Sequence, residues 1–294
     1  MVARRRAKTP ETVLGSVEAV LPIKDRNPTT RFPIVTILLL VLNVGVFLFI
    51  QQPVRSTAGG DVRFTYEYAA IPCEVVTGEP LSVGEVRARE CDRDGDGATA
   101  EIFPDKAIWL AVVLSMFLHG GWLHLGGNML FLWVFGNNIE DRLGAARYLL
   151  FYVLGGVVAT VAHVAVDAGS TVPVVGASGA IAGVMGAYLV WFPNAPVLTA
   201  FIFILVFLRE IAAKWLLGFW FVLQFFTGPD SGVAWMAHVG GFVFGALVAL
   251  AVRASGTARK LAWRGHYARA GPPLPPPAPP PFPPRSPTPR SGGR

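Results

Sequence analysis

Val175-Gly176-Ala177-Ser178-Gly179-Ala180-Ile181-Ala182-Gly183-Val184-Met185-Gly186 opens an apolar run that continues to about residue 193. The run is too hydrophobic for an ordinary loop-to-helix turn in water, and a serine stands at its start. About sixty residues later, Ala237-His238-Val239-Gly240-Gly241 opens another apolar run. A serine and a histidine placed at the starts of apolar helices point to hydrolytic chemistry within a membrane, provided both helices start from the same side of the bilayer.

The composition supports a membrane setting. Of 294 residues, 53% are hydrophobic and 15% are charged, against about 25% charged in soluble domains. Several apolar runs approach the roughly 20 residues that a spanning helix needs. Spans are expected at about 33–51, 115–137, 147–168, 177–193, 210–227 and 233–252. The first run follows a basic, polar head and no small-residue cleavage site ends it, so a span is expected there and not a secretory signal. The fold class is therefore an all-α membrane protein, a bundle of six transmembrane helices. The expected organisation is an N-terminal segment 1–31, a membrane domain 32–253 with a polar loop at 52–107, and a basic, Pro-rich, disordered tail at 254–294.

Charge sets the expected orientation. Head and tail are basic, and Arg142, Arg147, Arg209 and Lys214 lie in the short loops of the same side. The opposite short loops, 169–176 and 228–232, hold no Lys or Arg, which puts both termini in the cytoplasm of a multi-pass protein of the cell membrane. The net charge of +6 is explained by this topology, and no nucleic-acid partner is expected. The run 197–208 is too short to span and reads as an interfacial segment or the first part of span five.

In this topology spans two, four and six all run inward. His119, His124 and Asn128 in span two, Ser178 in span four and His238 in span six then share the outer third of the bilayer. His124 and Asn128 stand i,i+4 on one helix face. Polar groups in hydrocarbon are costly, so a cluster at one depth reads as a functional site. Ser178, Ala182 and Gly186 form a small-residue stripe, and Gly241 and Gly245 a GxxxG, both suited to close helix approach. The chemistry needs a base for the serine, which His238 supplies. It also needs donors for an oxyanion: the free Ser178 N–H at a helix start, His124 and the Asn128 amide. Asp167 and Asp230 lie in or beside outer loops, so a Ser-His dyad is expected without a carboxylate. A metal site on His119, His124 and His238 is not expected, since His119 and His124 diverge by about 140° on an ideal helix; no cofactor is expected either.

The pattern resembles the rhomboid family of intramembrane serine proteases, over roughly residues 33–253. The matching blocks are His119-Gly-Gly-Trp-Leu-His124-Leu-Gly-Gly-Asn128, then Gly136 to Glu140-Asp141-Arg142-Leu143-Gly144, then Gly176-Ala-Ser178-Gly179, then Ala237-His238-Val-Gly-Gly241-Phe-Val-Phe-Gly245. The resemblance implies a six-helix rhomboid-like bundle and a serine endopeptidase that cleaves transmembrane segments of membrane proteins near the outer face. It implies Ser178 as nucleophile, His238 as general base, and His124, Asn128 and the Ser178 N–H as the oxyanion site. Gly176 and Gly179 frame the serine, and His119 stands near the site. Glu140 and Arg142 match a structural motif and read as a loop salt bridge. Residues 227–232 resemble the family's mobile cap. Some members carry an aromatic residue four positions after the serine, stacked on the histidine; here Ala182 holds that position. The alternative is a catalytically silent rhomboid-like protein that binds transmembrane clients for quality control.

Other signals lie outside this cluster. Cys73 and Cys91 face the oxidising side and are expected to form a disulfide. Asp92, Asp94, Asp96 and Gly97 begin like a Ca²⁺ loop, but Phe103 stands where the pattern needs Glu; a solvated acidic turn is expected, with weak Ca²⁺ binding as the alternative. His163, near the outer end of span three, reads as structural or interfacial, with an extension of the site as the alternative, and His266 as solvated. The proline runs Pro275-Pro276-Pro277 and Pro279-Pro280-Pro281 read as an extended tail that docks a partner or lies near anionic lipid.

Overall fold

A computed structural model describes residues 19–92, 99–202, 205–227 and 232–255. Asp94, Asp96, Asp230, His266, the proline runs and most of the 227–232 loop lie outside the described residues, so the calcium, tail and cap expectations do too. The chain is mostly helical. The first helix is α1 (Ile34–Val46), which runs through a π-turn (Phe47–Gln51) into α2 (Gln52–Arg55) as one 22-residue apolar rod. The loop that follows carries α3 (Gly60–Tyr68), α4 (Pro72–Thr77) and α5 (Val83–Ala88). Next come α6 (Ile108–Leu114) with a 3₁₀ turn (Ser115–Phe117), α7 (Trp122–Leu143), α8 (Ala145–Val166), α9 (Ser178–Trp191), α10 (Ala213–Gln224) and α11 (Trp235–Ala254).

Among the described residues, three helices are long and apolar enough to cross a membrane: Ile34–Arg55, α8 and α11. Ile108–Phe117 and α7 form a fourth candidate, bent by 81°. The bend falls just after Leu118, where sequence reading ran span two straight through. His119 consequently lies in the break and not on α7.

Helix α9 is the centre. Residues 179–188 are all buried, as a helix apolar on every face must be. It packs chiefly against α11 and α8. A side-chain carbon at Gly241 would fall on the carbonyl oxygen of Gly179, one at Gly245 on that of Gly183, and one at Gly186 on that of Phe242. The close stripe is thus Gly179–Gly183–Gly186 facing Gly241 and Gly245. The expected stripe through Ser178 and Ala182 shares only Gly186 with it, because Ser178 and Ala182 point to another face of the same helix. Gly245→Ala should cost about 1–3 kcal/mol through overpacking. Gly218→Ala, with open space around it, should be neutral or stabilising by up to about 1 kcal/mol. Thermal unfolding in detergent reads the contrast.

The all-α expectation omits a small sheet. Three antiparallel strands, β1 (Ala19–Asp25), β2 (Pro196–Ile202) and β3 (Val206–Ala212), run in the order β1-β2-β3. The run 197–208, read as interfacial or as the start of span five, is instead most of a hairpin. Its Val, Ile, Phe and Thr content suits strands, and pairing satisfies a backbone too short to span. Strand β1 lies inside the segment read as a polar head. It is an edge strand, where Pro22 is tolerated opposite Thr199, and the register shifts between Pro22 and Lys24. The sheet sits at the end of the bundle away from Ser178. There Asp25 is buried and accepts from the Tyr188 hydroxyl at 2.8 Å and the Asn138 amide at 2.5 Å. Burial raises the Asp25 carboxyl above the usual range against these hydrogen bonds. Strand β3 feeds directly into α10, whose first turn is tied back by Ala213 N–H to Ala195 O at 2.9 Å.

Candidate active site

Ser178 is the first residue of α9, and no side chain caps that helix. Gly176 precedes it with φ +125°, a conformation essentially restricted to glycine. A side-chain carbon at Gly176 would also lie 2.8 Å from the His124 ring. The Gly176 N–H donates to Ser115 O at 2.9 Å. The Ser115 hydroxyl accepts from Ala70 N–H at 2.6 Å and donates to Ala111 O at 2.6 Å. One serine therefore ties the loop leading to Ser178, the end of α6 and the 52–107 segment together. Ala70 bridges Val174, and Cys73 N–H donates to Ser170 O at 3.0 Å, so the polar loop is docked on the segment that enters the site.

That loop has its own small core of Ile71, Cys73 and Leu81. Cys73 and Cys91 are disulfide-bonded. Lys106 pairs with Glu74 at 2.5 Å, both side chains nearly inaccessible. Burial lowers the lysine and raises the carboxyl, while each partner opposes the other's shift.

His238 lies in the first turn of α11. Its Nε2 is 2.8 Å from Ser178 Oγ. Its Nδ1 is 2.7 Å from Gln224 Oε1, at the end of α10. The Trp220 ring lies 5.7 Å from the imidazole, centroid to centroid, tilted by 40°. Ala182 is fully buried, so the aromatic neighbour of His238 comes from α10 and not from the helix of the serine. Sequence reading missed Gln224 and Trp220. The available signal was one amide at the end of the apolar run 215–226.

On α7, His124 Nδ1 accepts the Gly120 N–H at 3.2 Å. A neutral imidazole that accepts at Nδ1 carries its proton on Nε2, the nitrogen beside Gly176. Asn128, only 8% exposed, has an amide nitrogen with no hydrogen-bond partner among the described residues. His124, Asn128, Ser178, Trp220 and His238 all line one cleft of about 700 Å³. His163 lines it too, which favours the alternative that it extends the site over a purely structural or interfacial role. His119 does not: it is buried behind His124, ring to ring at 5.2 Å. Its backbone is clamped by Gln51, which accepts from His119 N–H at 3.0 Å and donates to His119 O at 3.2 Å.

Glu140 and Arg142 do not pair with each other. Glu140 reaches the start of α1, and the Arg142 guanidinium lies over the Trp191 ring at 5.0 Å. Gly179, Gly241 and Gly245 serve the α9–α11 contact described above.

Chemically, the cleft brings together a hydroxyl, an imidazole able to take its proton, and the side chains of His124 and Asn128. A family model described as Rhomboid domain matches residues 106–255. The chain is 32% identical over 166 residues to Presenilin-associated rhomboid-like protein A, mitochondrial, of Danio rerio, covering 54% of this chain and 40% of that protein. It is 32% identical over 151 residues to Rhomboid protease GluP of Bacillus subtilis, 49% of this chain and 26% of that one. It is 29% identical over 156 residues to Rhomboid protease AarA of Providencia stuartii, 49% and 56%. In each case the alignment spans less than two thirds of the relative's length.

Proposed function

The chain belongs to the rhomboid family, and on that premise we propose that it is an intramembrane serine endopeptidase acting on transmembrane segments of other proteins. The observation that carries the reading is the 2.8 Å contact between Ser178 Oγ and His238 Nε2 inside a cleft walled by apolar helices. His238 Nε2 takes the Ser178 proton as Oγ attacks the scissile carbonyl. The oxyanion is received by the Ser178 backbone N–H, His124 Nε2–H and the Asn128 amide. Collapse of the tetrahedral intermediate expels the amine, which leaves with the proton from His238. Water then repeats the sequence on the acyl-serine and frees Ser178. A substrate helix must unwind locally, because helical backbone holds its carbonyls in hydrogen bonds; the cleft offers room for an extended stretch.

In this reading α1, α7, α8, α9, α10 and α11 all cross the bilayer, and the membrane domain covers residues 32–253. The site end faces outward, with the disulfide-bonded 52–107 loop. The sheet end faces the cytoplasm, as do the head, the tail, Arg142, Arg147, Arg209 and Lys214. The bilayer is that of the cell, and no cofactor takes part.

A fluorophosphonate probe tests the function. Covalent labelling of the purified chain that is lost in both Ser178→Ala and His238→Ala is expected. A chain that captures transmembrane clients yet shows no Ser178-dependent labelling is instead the silent client-binding protein.

A further inference from the structure

Gln224 is 7% exposed, at the end of α10. It is the only amide or charged side chain between Trp215 and Phe226. An amide in such a place is costly unless both of its ends are bonded, and both are. Its Nε2 donates to Trp220 O at 2.9 Å, and its Oε1 stands 2.7 Å from His238 Nδ1. A backbone carbonyl only accepts, so the amide NH₂ must face Trp220 and the amide oxygen must face the imidazole. An amide oxygen also only accepts. The proton of neutral His238 is therefore on Nδ1, and Nε2 is left with a lone pair aimed at Ser178 Oγ–H, 2.8 Å away. The chain Trp220 O, Gln224, His238, Ser178 admits a single hydrogen-bond direction, and that direction is the one a general base requires.

We propose that Gln224 is a positioning residue that takes the place of the carboxylate in a triad: it fixes the tautomer and the plane of His238, while Trp220 bounds the ring on one side. This rests on the protease reading above. A neutral amide suits the setting, because an ionised carboxylate at a helix end walled by apolar side chains is expensive, whereas the amide orients the ring with no charge to desolvate. It also accounts for an unsupported histidine opposite Ala182. Among the described residues, the titratable groups around the His238 ring are His124 on α7 and His163 on α8, with Asp167 farther along the cleft wall. Among the described residues no carboxylate hydrogen-bonds to the imidazole.

Two substitutions and one measurement on the unaltered chain test the assignment. Gln224→Met keeps the volume and removes the acceptor. It should lower kcat about tenfold to a hundredfold, less than the roughly 10²–10⁴-fold that the general base supplies as a whole, with KM within twofold and cooperative unfolding retained. Gln224→Glu restores an acceptor that also favours the imidazolium. It should recover most of the lost rate near neutral pH and move the acid limb of the kcat/KM profile to higher pH. A methionine variant within twofold of the parent kcat, or a glutamate variant as slow as the methionine one with an unmoved profile, overturns the role. ¹⁵N-histidine NMR of the full chain in detergent should show neutral His238 protonated at Nδ1. Protonation at Nε2 overturns the assignment without reference to any variant's folding. Loss of the protease reading would look different: the parent chain would show no Ser178-dependent turnover while the NMR tautomer still reported the Gln224 contact.

Discussion

Ser178→Ala should reduce cleavage of a single-span model substrate by at least about 10³-fold, the scale on which removing a serine nucleophile acts, while leaving folding intact. The local geometry explains why the two effects separate. The Ser178 side chain does not cap α9, whose N-cap is Ala177. Its oxygen meets His238 Nε2, so the substitution removes one hydrogen bond worth about 1 kcal/mol and opens no cavity larger than an oxygen atom. The helix start, the strained Gly176 and the glycine contact to α11 are untouched. Melting temperature in detergent should therefore stay within about 2 °C of the parent, a shift compatible with 1 kcal/mol or less in a chain of this size. Substrate should still enter the cleft and accumulate there uncut. Residual proteolysis above about 0.1% of the parent rate in purified Ser178→Ala protein would move the nucleophile elsewhere.

Ser178, His238, His124 and Asn128 were legible because a polar side chain in an apolar run stands out, and because topology placed four of them at one depth. The structure gathers these four on one cleft. Gln224 was not legible for the opposite reason. It stands where the fifth apolar run ends, where an amide reads as the beginning of a loop, and no helical spacing connects it to a histidine fourteen residues on. The α9 face was ambiguous because nearly every fourth residue from 178 to 186 is small; spacing alone could not choose Gly179 and Gly183 over Ser178 and Ala182. The sheet was hidden by distance along the chain. β2 reads as a short apolar run until its partner β1, more than 170 residues earlier, is brought beside it. The disulfide was anticipated, but its purpose in the fold was not. It closes a loop that is docked through Ala70, Cys73 and Ser115 onto the segment leading to Ser178, mostly by backbone groups whose pairing leaves little pattern in the sequence.

Glu140→Ala should be strongly destabilising at the end of the bundle opposite the site, by about 2–4 kcal/mol, the scale for leaving two buried N–H donors without an acceptor. Sequence reading paired Glu140 with Arg142 as a loop salt bridge, and the structure separates them. Glu140 is 4% exposed. Its carboxylate accepts from Val35 N–H at 2.9 Å, Thr36 N–H at 2.8 Å and the Thr36 hydroxyl at 2.8 Å. These are donors in the first turn of α1, whose N-cap is Pro33 and which has no side-chain cap of its own. The C-terminal part of α7 thus supplies, from more than a hundred residues away, the capping acceptor and the negative charge that a helix N-terminus favours. Asp141, one residue on, holds the segment before α1, accepting from Thr30 N–H, the Thr30 hydroxyl and Arg31 N–H. Arg142 does something else: its guanidinium lies over Trp191 at 5.0 Å and Phe192 at 5.7 Å, a contact worth about 0.5–2 kcal/mol. The two residues therefore respond differently. A salt bridge predicts similar losses for Glu140→Ala and Arg142→Ala and no further loss in the double variant. The capping geometry predicts a larger loss for Glu140→Ala, near-additive losses in the double variant, and an intermediate loss for Glu140→Gln, which keeps one acceptor oxygen but not the charge. Unfolding of the four proteins in the same detergent decides between them, and equal, non-additive losses would return Glu140 to Arg142.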